Sequence, residues 1–449
     1  MPRPTTLDLT TGSIPRRIVQ LAWPAILSTI VHNLYGLNDV YFSQFTGVAG
    51  QTAVSNNLFV LIAVFGFIQL AAIGTLTLVA RRTGAGNEVG AAQAAKQGLL
   101  FSAALSLAAV VTGWFTAPVI PQWMGMAPDV AAESITYLRI LFLGLPALFL
   151  FPTVESIFRA RGDARTPLFL QIIAVGTNVI GNFVAVKVLG AGVAGIAIAT
   201  ILSRIVGSGL GLLMLRGGRT GLDLSRGEGA LVDLTVWRRI VLVSAPVGVR
   251  TLLFGVIYQV VSRITSEFGT AAQNGLGVGI RVEGLCFFIL VGFGLAAGPM
   301  VGQNLGAGRP QRAARAAWTA VGMAMVPSLL FTAIFGLAPE AFMSIFAQDA
   351  ATIAHGTAYL RIVAVCFVFL NLEVVLAHAF VGAGDTLPPM LIDVPLTALR
   401  IPLAWWLGSL WGVQGVWWTI SLTAIARGVG MSLWFARGSW QRSRPDLDH

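Results

Sequence analysis

YLRI is spelled twice in this chain, at Tyr137–Ile140 and at Tyr359–Ile362, 222 positions apart in 449 residues. The same shift carries Pro24 in LAWPAIL onto Pro246 in VSAPVGV, and Gly47 onto Gly269. It lays TGAGNEVGAAQAA (83–95) on LGAGRPQRAARAA (305–317) and ARGDARTP (160–167) on GAGDTLPP (382–389). Further on, GVAG (192–195) meets GVQG (412–415) at a shift of 220, so the second copy is two residues shorter near its fifth loop. One register held over so much of the chain makes it two copies of a single unit. YLRI itself is expected at the start of the fourth helix of each copy, near the outer face. Tyr137 and Tyr359 would anchor there at the interface, with Arg139 and Arg361 reaching toward headgroups.

The unit is a membrane one. Only 11% of residues are charged, 56% are hydrophobic and the mean hydropathy is +0.79, whereas a soluble domain carries about 25% charge. Windows of about 20 apolar residues, the length that crosses a bilayer, number twelve. They lie near 18–43, 53–79, 93–118, 135–157, 166–189, 191–215, 239–264, 274–300, 314–337, 357–381, 388–409 and 411–435. The start, MPRPTTLDLTTGSIPRR, lacks the apolar core of a signal peptide, so the first span is expected to be retained. Cys286 and Cys366 lie in apolar runs and read as small buried hydrophobes.

The net charge of +10 reflects topology rather than a nucleic-acid surface. With the N-terminus inside, cytoplasmic segments hold 20 of the 29 Lys and Arg residues. Among them are Arg16 and Arg17, Arg81 and Arg82, Arg159, Arg161 and Arg165, and Arg309, Arg312 and Arg315. Arg3, Arg226 and Arg444 add to the same side. Outer loops hold few, Lys187 among them, as the positive-inside rule requires. Only GAGDTLPP lacks its expected cation. Trp405, Trp406, Trp411, Trp417 and Trp418 read as an interfacial belt at the outer turn between the last two spans.

Six spans per copy is even, so both copies start on the same side and form a parallel repeat. Such bundles bind substrate near the midplane and alternate access by rocking one half on the other. The expected fold is an all-α integral membrane protein of twelve transmembrane helices in two six-helix lobes. The lobes span 1–215 and 237–449, joined by a cytoplasmic loop over 216–236.

In this order, LAWPAIL…LYGLNDVYFSQFTG, GAGNEVGAA and RGDARTP resemble the multidrug and toxic compound extrusion family over nearly the whole chain. The resemblance implies export of organic cations and other amphipathic compounds, driven by a proton or sodium gradient. It also implies a first-helix aspartate in the N-terminal lobe, here Asp39, joined to Tyr35, to Asn178 and Asn182, and to Thr200. Relatives carry a carboxylate where this chain has Asn182. One charge fewer weakens a sodium site, so proton coupling is expected, with sodium the alternative.

The residues alone lead to the same carboxylate. A charge deep in a span costs about 2.5–3.5 kcal/mol on insertion scales and marks function by default. Asp39, Glu155, Glu283, Glu373 and Asp393 all fall within spans. Helical periodicity puts Tyr35 and His32 on the face of Asp39. Desolvation favours the neutral form of a buried carboxylate, the property a proton-loading group needs. Asn178 and Asn182 share a face at i,i+4, and packing glue between helices is their other reading. Pro24 removes a backbone hydrogen bond inside the first helix and is the expected hinge. In the second copy Asp39 maps to Val261, so the lobes differ chemically. A second candidate site there holds Glu283, Glu373, Asn371 and Asp393. Each acid also has a structural reading, with Glu283 beside Arg281 and Asp393 two turns before Arg400. Glu155 and Arg159 form an i,i+4 pair, and Arg204 and Arg427 read as lobe staples or snorkelling anchors.

Several classes drop out. No loop ends in the Gly-Lys that an ATP-driven pump needs. No HExxH or cluster of ligands points to a metal enzyme, and no cofactor is expected beyond the ion gradient. A lipid-linked saccharide flippase with similar lobes remains an alternative reading, and a membrane-embedded enzyme a remote one. The expected partners are the bilayer and small amphipathic or cationic substrates, not nucleic acid. The expected state is a monomer in the cytoplasmic membrane of a prokaryote, with both termini inside.

Overall fold

The structure is a computed structural model that describes residues 6–224 and 231–443. Arg3, Arg226, Arg444 and part of the 216–236 connection therefore lie outside the described residues. Lipid offers the backbone no hydrogen-bond partners, so each apolar run closes its own bonds as a helix. The first copy comprises α1 (Ile14–Ser43), α2 (Gly47–Gly84), α3 (Glu88–Thr116), the short α4 (Val119–Trp123), α5 (Pro128–Leu143), α6 (Leu145–Ala160), α7 (Arg165–Asn182) and α8 (Gly192–Arg216). The second comprises α9 (Leu234–Ser266), α10 (Thr270–Gly306), α11 (Pro310–Leu337), the short α12 (Pro339–Phe346), α13 (Ala350–Ala364), α14 (Phe367–Ala383), α15 (Leu387–Ala398), α16 (Arg400–Trp411) and α17 (Val413–Ala436). There is no strand among the described residues.

Nine helical segments are long and apolar enough to cross a bilayer, and two bent pairs make eleven among the described residues. The twelfth pass is α1, whose 30 residues extend about 45 Å at 1.5 Å per residue. Its polar residues His32, Asn33, Asn38 and Asp39 dilute its hydropathy. The all-α, doubled architecture expected from the sequence is the one observed.

The duplication reaches details the apolar windows do not show. The fourth pass of each copy is broken, by 51° between α5 and α6 and by 63° between α13 and α14. The break falls at Gly144 in one copy and Cys366 in the other, 222 residues on. Pro146, which has no N–H to offer the preceding turn, accounts for the first. The second comes without a proline.

YLRI lies in the last two turns before each bend, not at the start of a pass. Tyr137 and Tyr359 are buried rather than interfacial, while Arg139 and Arg361 are exposed. Tyr359 packs edge-on against Trp417, ring centroids 5.2 Å apart. Trp417 is therefore a core residue and not part of the belt, whereas Trp405, Trp406 and Trp411 are exposed as a belt requires. Cys286 and Cys366 are buried free thiols.

In lipid, close helix contact depends on small side chains, and the lobes meet on glycine. Gly66 and Gly74 of α2 face Leu252 and Ile240 of α9, and Gly292 of α10 faces Ile26 of α1. At the α2–α10 crossing a Cβ on Gly84 or Gly306 would overlap the backbone of Gln303 or Arg81. Gly306→Val is thus expected to part α2 from α10 at this end. A lengthened distance between spin labels placed on the two helix ends would show it, and an unchanged distance would count against this packing.

Candidate functional site

Asp39 sits late in α1, where α7 and α8 close over it. Gly181 makes the convergence possible, since a Cβ there would stand 2.9 Å from that of Ala199. With the two helices this close, Asn178 and Asn182 of α7 and Thr200 of α8 point at one spot. Asn182 Nδ2 donates to Asp39 Oδ1 at 2.7 Å, Asn178 Nδ2 to the same oxygen at 3.2 Å, and Thr200 Oγ1 to Oδ2 at 3.1 Å. Asp39 is only 9% exposed, and both asparagines are fully buried. All three donors are neutral. The carboxylate is therefore hydrogen-bonded by dipoles that can turn and is in direct contact with no cation among the described residues.

Tyr35, one turn before Asp39, reaches the cluster from below. Its hydroxyl donates to the Thr200 carbonyl at 2.9 Å and lies 2.6 Å from Ser203 Oγ. The structure thus brings together Asp39, Tyr35, Asn178, Asn182 and Thr200. Sequence reasoning missed Asn38, whose Nδ2 donates to Asn178 Oδ1 at 2.7 Å and so aims the Asn178 amide nitrogen at Asp39. It also missed Ser203, which its i+3 spacing from Thr200 could have flagged. Directly after Asn182 the chain forms a π-helical turn, Phe183–Val188, a distortion common at functional sites. Pro24 interrupts α1 four turns earlier and leaves the carbonyl of Gln20 without its helical donor.

Arg204 lies on the far side of Tyr35. Its guanidinium stacks over the Tyr35 ring at 4.1 Å and the Phe151 ring at 4.9 Å. Gln171 links it at 3.5 Å to His32, whose Nδ1 lies 3.0 Å from Gln171 Nε2. Glu155 is held by Arg159 at 3.4 Å, the i,i+4 pair read from the sequence.

The second lobe is built differently at the same places. Val261, opposite number of Asp39, is a buried core residue. Phe151 is replaced by Glu373, which accepts from Arg427 Nη1 at 2.8 Å. Asp393 pairs with Arg250 of α9 at 2.8 Å, not with Arg400. Arg400 instead donates through Nε to Thr423 Oγ1 of α17 at 2.8 Å. Glu283 accepts from the Tyr359 hydroxyl at 2.6 Å, while its sequence neighbour Arg281 points out to an exposed position. Asn371 donates to the Val321 carbonyl at 3.0 Å. The four residues of the second candidate site are thus distributed over several partners. No group of three or more His, Cys, Asp or Glu capable of holding a metal occurs among the described residues.

Comparison with known proteins gives the same register. The MatE family model matches residues 24–184 and again 246–406. The chain is similar to "Probable multidrug resistance protein NorM" of Thermotoga maritima, at 26% identity over 96% of this chain and 94% of that protein. It is also similar to the "FAD transporter" of Shewanella oneidensis, at 21% identity over 94% of each. A solved structure described as MATE in the bent conformation superposes with a TM-score of 0.91 at 22% identity, covering 97% of both chains.

Proposed function

Since the chain belongs to the MatE family, whose members are membrane transporters, we propose that it exports amphipathic and cationic small molecules across the cytoplasmic membrane in exchange for protons bound at Asp39. The substrate class follows the multidrug relatives. The ion assignment rests on one observation, the buried Asp39 carboxylate addressed by three neutral donors and lacking a counterpart in the other lobe.

A sodium ion needs oxygen lone pairs. Both amide nitrogens face Asp39, so both amide oxygens are turned away, and Asn178 Oδ1 is already taken by Asn38. A proton makes a smaller demand. Protonated Asp39 becomes a donor and needs one acceptor. Asn182 Oδ1, buried without a partner among the described residues, supplies it when the amide turns over. That rearrangement strains the α1–α7 contact, and the gap at Pro24 lets α1 yield. Both termini are taken as cytoplasmic, with the arginine-rich turns on that side. Alternating access then carries Asp39 from one side to the other.

Efflux of an ethidium-type cation from susceptible cells tests the reading. Efflux that persists without sodium and stops with a protonophore is expected, and a strict sodium requirement would overturn proton exchange. Asn182→Asp restores the second carboxylate and is expected to make transport sodium-responsive. If that variant stays indifferent to sodium, the residue at 182 does not set the choice of ion.

A further inference from the structure

The two copies differ in chemistry at the cytoplasmic start of their third passes. In the first lobe this corner is internally satisfied. Asn87 caps α3 by accepting from Gly90 N at 2.7 Å, and Glu88 binds Arg161 at 3.0 Å. In the second lobe the register puts Arg309 for Asn87, Pro310 for Glu88, Arg312 for Gly90, Arg315 for Gln93 and Trp318 for Lys96. The cap and the acid are gone, and three guanidinium groups and an indole stand in their place.

Two of these arginines and the indole line a crevice of about 590 Å³ between α11 and the start of α1, walled by Ile14, Pro15, Arg312, Arg315 and Trp318. The guanidinium of Arg17 lies against Gly12, whose carbonyl accepts from Arg312 Nη2 at 2.8 Å. The carboxylate of Asp8 accepts from neutral donors and bridges to no guanidinium among the described residues. Asp8 Oδ1 takes Thr10 N and Oγ1 at 2.9 and 2.6 Å, and Oδ2 takes Thr11 Oγ1 at 2.8 Å. Arg315 makes no hydrogen bond or ion pair through its guanidinium among the described residues. Trp318 is 39% exposed and packs its inner edge on Phe435, the posture of an interfacial indole.

We propose that this crevice binds the phosphate headgroup of an anionic phospholipid of the inner leaflet. Basic pockets between helices on the cytoplasmic side take such headgroups. Arg312 and Arg315 meet the phosphate, while Trp318, Ile14 and Pro15 border the glycerol and first acyl carbons. One wall belongs to α1 of the first lobe and the other to α11 of the second, so the bound lipid bridges the lobes and favours the arrangement in which they are close. The leaflet follows from the orientation proposed above, whereas the binding test does not depend on it.

The full-length protein is purified in detergent, offered phosphatidylglycerol or phosphatidylcholine, and its retained lipids are counted by native mass spectrometry. Phosphatidylglycerol is expected to be retained preferentially. Its affinity should fall about fivefold for each arginine removed in Arg315→Gln and in Arg312→Gln/Arg315→Gln. Arg315→Gln touches no internal contact, so its result stands even if the double variant fails to fold. Equal retention of the two lipids, an unaltered Arg315→Gln, or the same loss in Arg216→Gln at another exposed cytoplasmic position would each overturn the proposal. Inorganic phosphate alone reproducing the lipid's thermal stabilisation would assign the crevice to a free anion and likewise overturn it.

Discussion

Asp39→Asn is expected to reduce efflux to the level of cells lacking the protein, with the amount in the membrane unchanged. The substitution keeps the shape and removes the ionisable group. Asn178, Asn182 and Thr200 all donate toward this position. An amide there presents one oxygen where the carboxylate presents two, and the cluster resembles the protonated state permanently. The variant should therefore still bind a cationic substrate from one side yet fail to exchange. Whole-cell ethidium efflux beside quantitative immunoblotting decides it, and wild-type efflux from Asp39→Asn would remove Asp39 from the mechanism.

Glu373→Ala should act on stability. Arg427 is buried, 4% exposed, and its Nη1 is spent on Glu373 at 2.8 Å. Removing one partner of such a pair leaves a desolvated charge, at a cost of about 3–5 kcal/mol. Replacing both with apolar groups, as in Glu373→Met/Arg427→Leu, is often neutral or better. A large fall in thermal stability for the single variant and recovery in the double are expected. A stable single variant that nevertheless loses transport would move Glu373 from lobe structure to ion exchange.

Where the sequence was informative, the reason was periodicity. A shift of 222 located each lobe and its matching turns, because helices in lipid must be apolar along their whole length and the turns between them cannot be. It could also find Asp39, since a lone acid in an apolar run stands out, and Asn178 and Asn182, whose spacing shares a face. The partners on other helices were less visible. Asp393 was expected beside Arg400 and instead meets Arg250, because α9 packs against α15 and brings a guanidinium within 2.8 Å, while Arg400 is taken up by Thr423 of α17. Tyr137 and Tyr359 were expected at the interface for a different reason. A break in mid-pass leaves no mark in hydropathy, so the depth of the helix was misjudged by several residues. Asn38 stayed hidden since residues adjacent on a helix point apart, and only the approach of α7 puts both Asn38 and Asp39 within reach of Asn178.

The exchange of Glu373 for Phe151 at the same register has an electrical consequence. Arginine stays charged, and Arg204 is stacked on two rings and makes no ion pair among the described residues. In the proposed cycle Asp39 is the carboxylate left to balance Arg204 in the middle of the first lobe, Glu155 being held by Arg159. Ionised, Asp39 leaves that interior neutral; protonated, it leaves one positive charge. In the proposed cycle the loaded lobe then moves as a cation in the transmembrane field, worth up to about 2.3 kcal/mol per 100 mV for a full crossing. The membrane potential, and not the proton concentration alone, would act on the step that returns Asp39 inward.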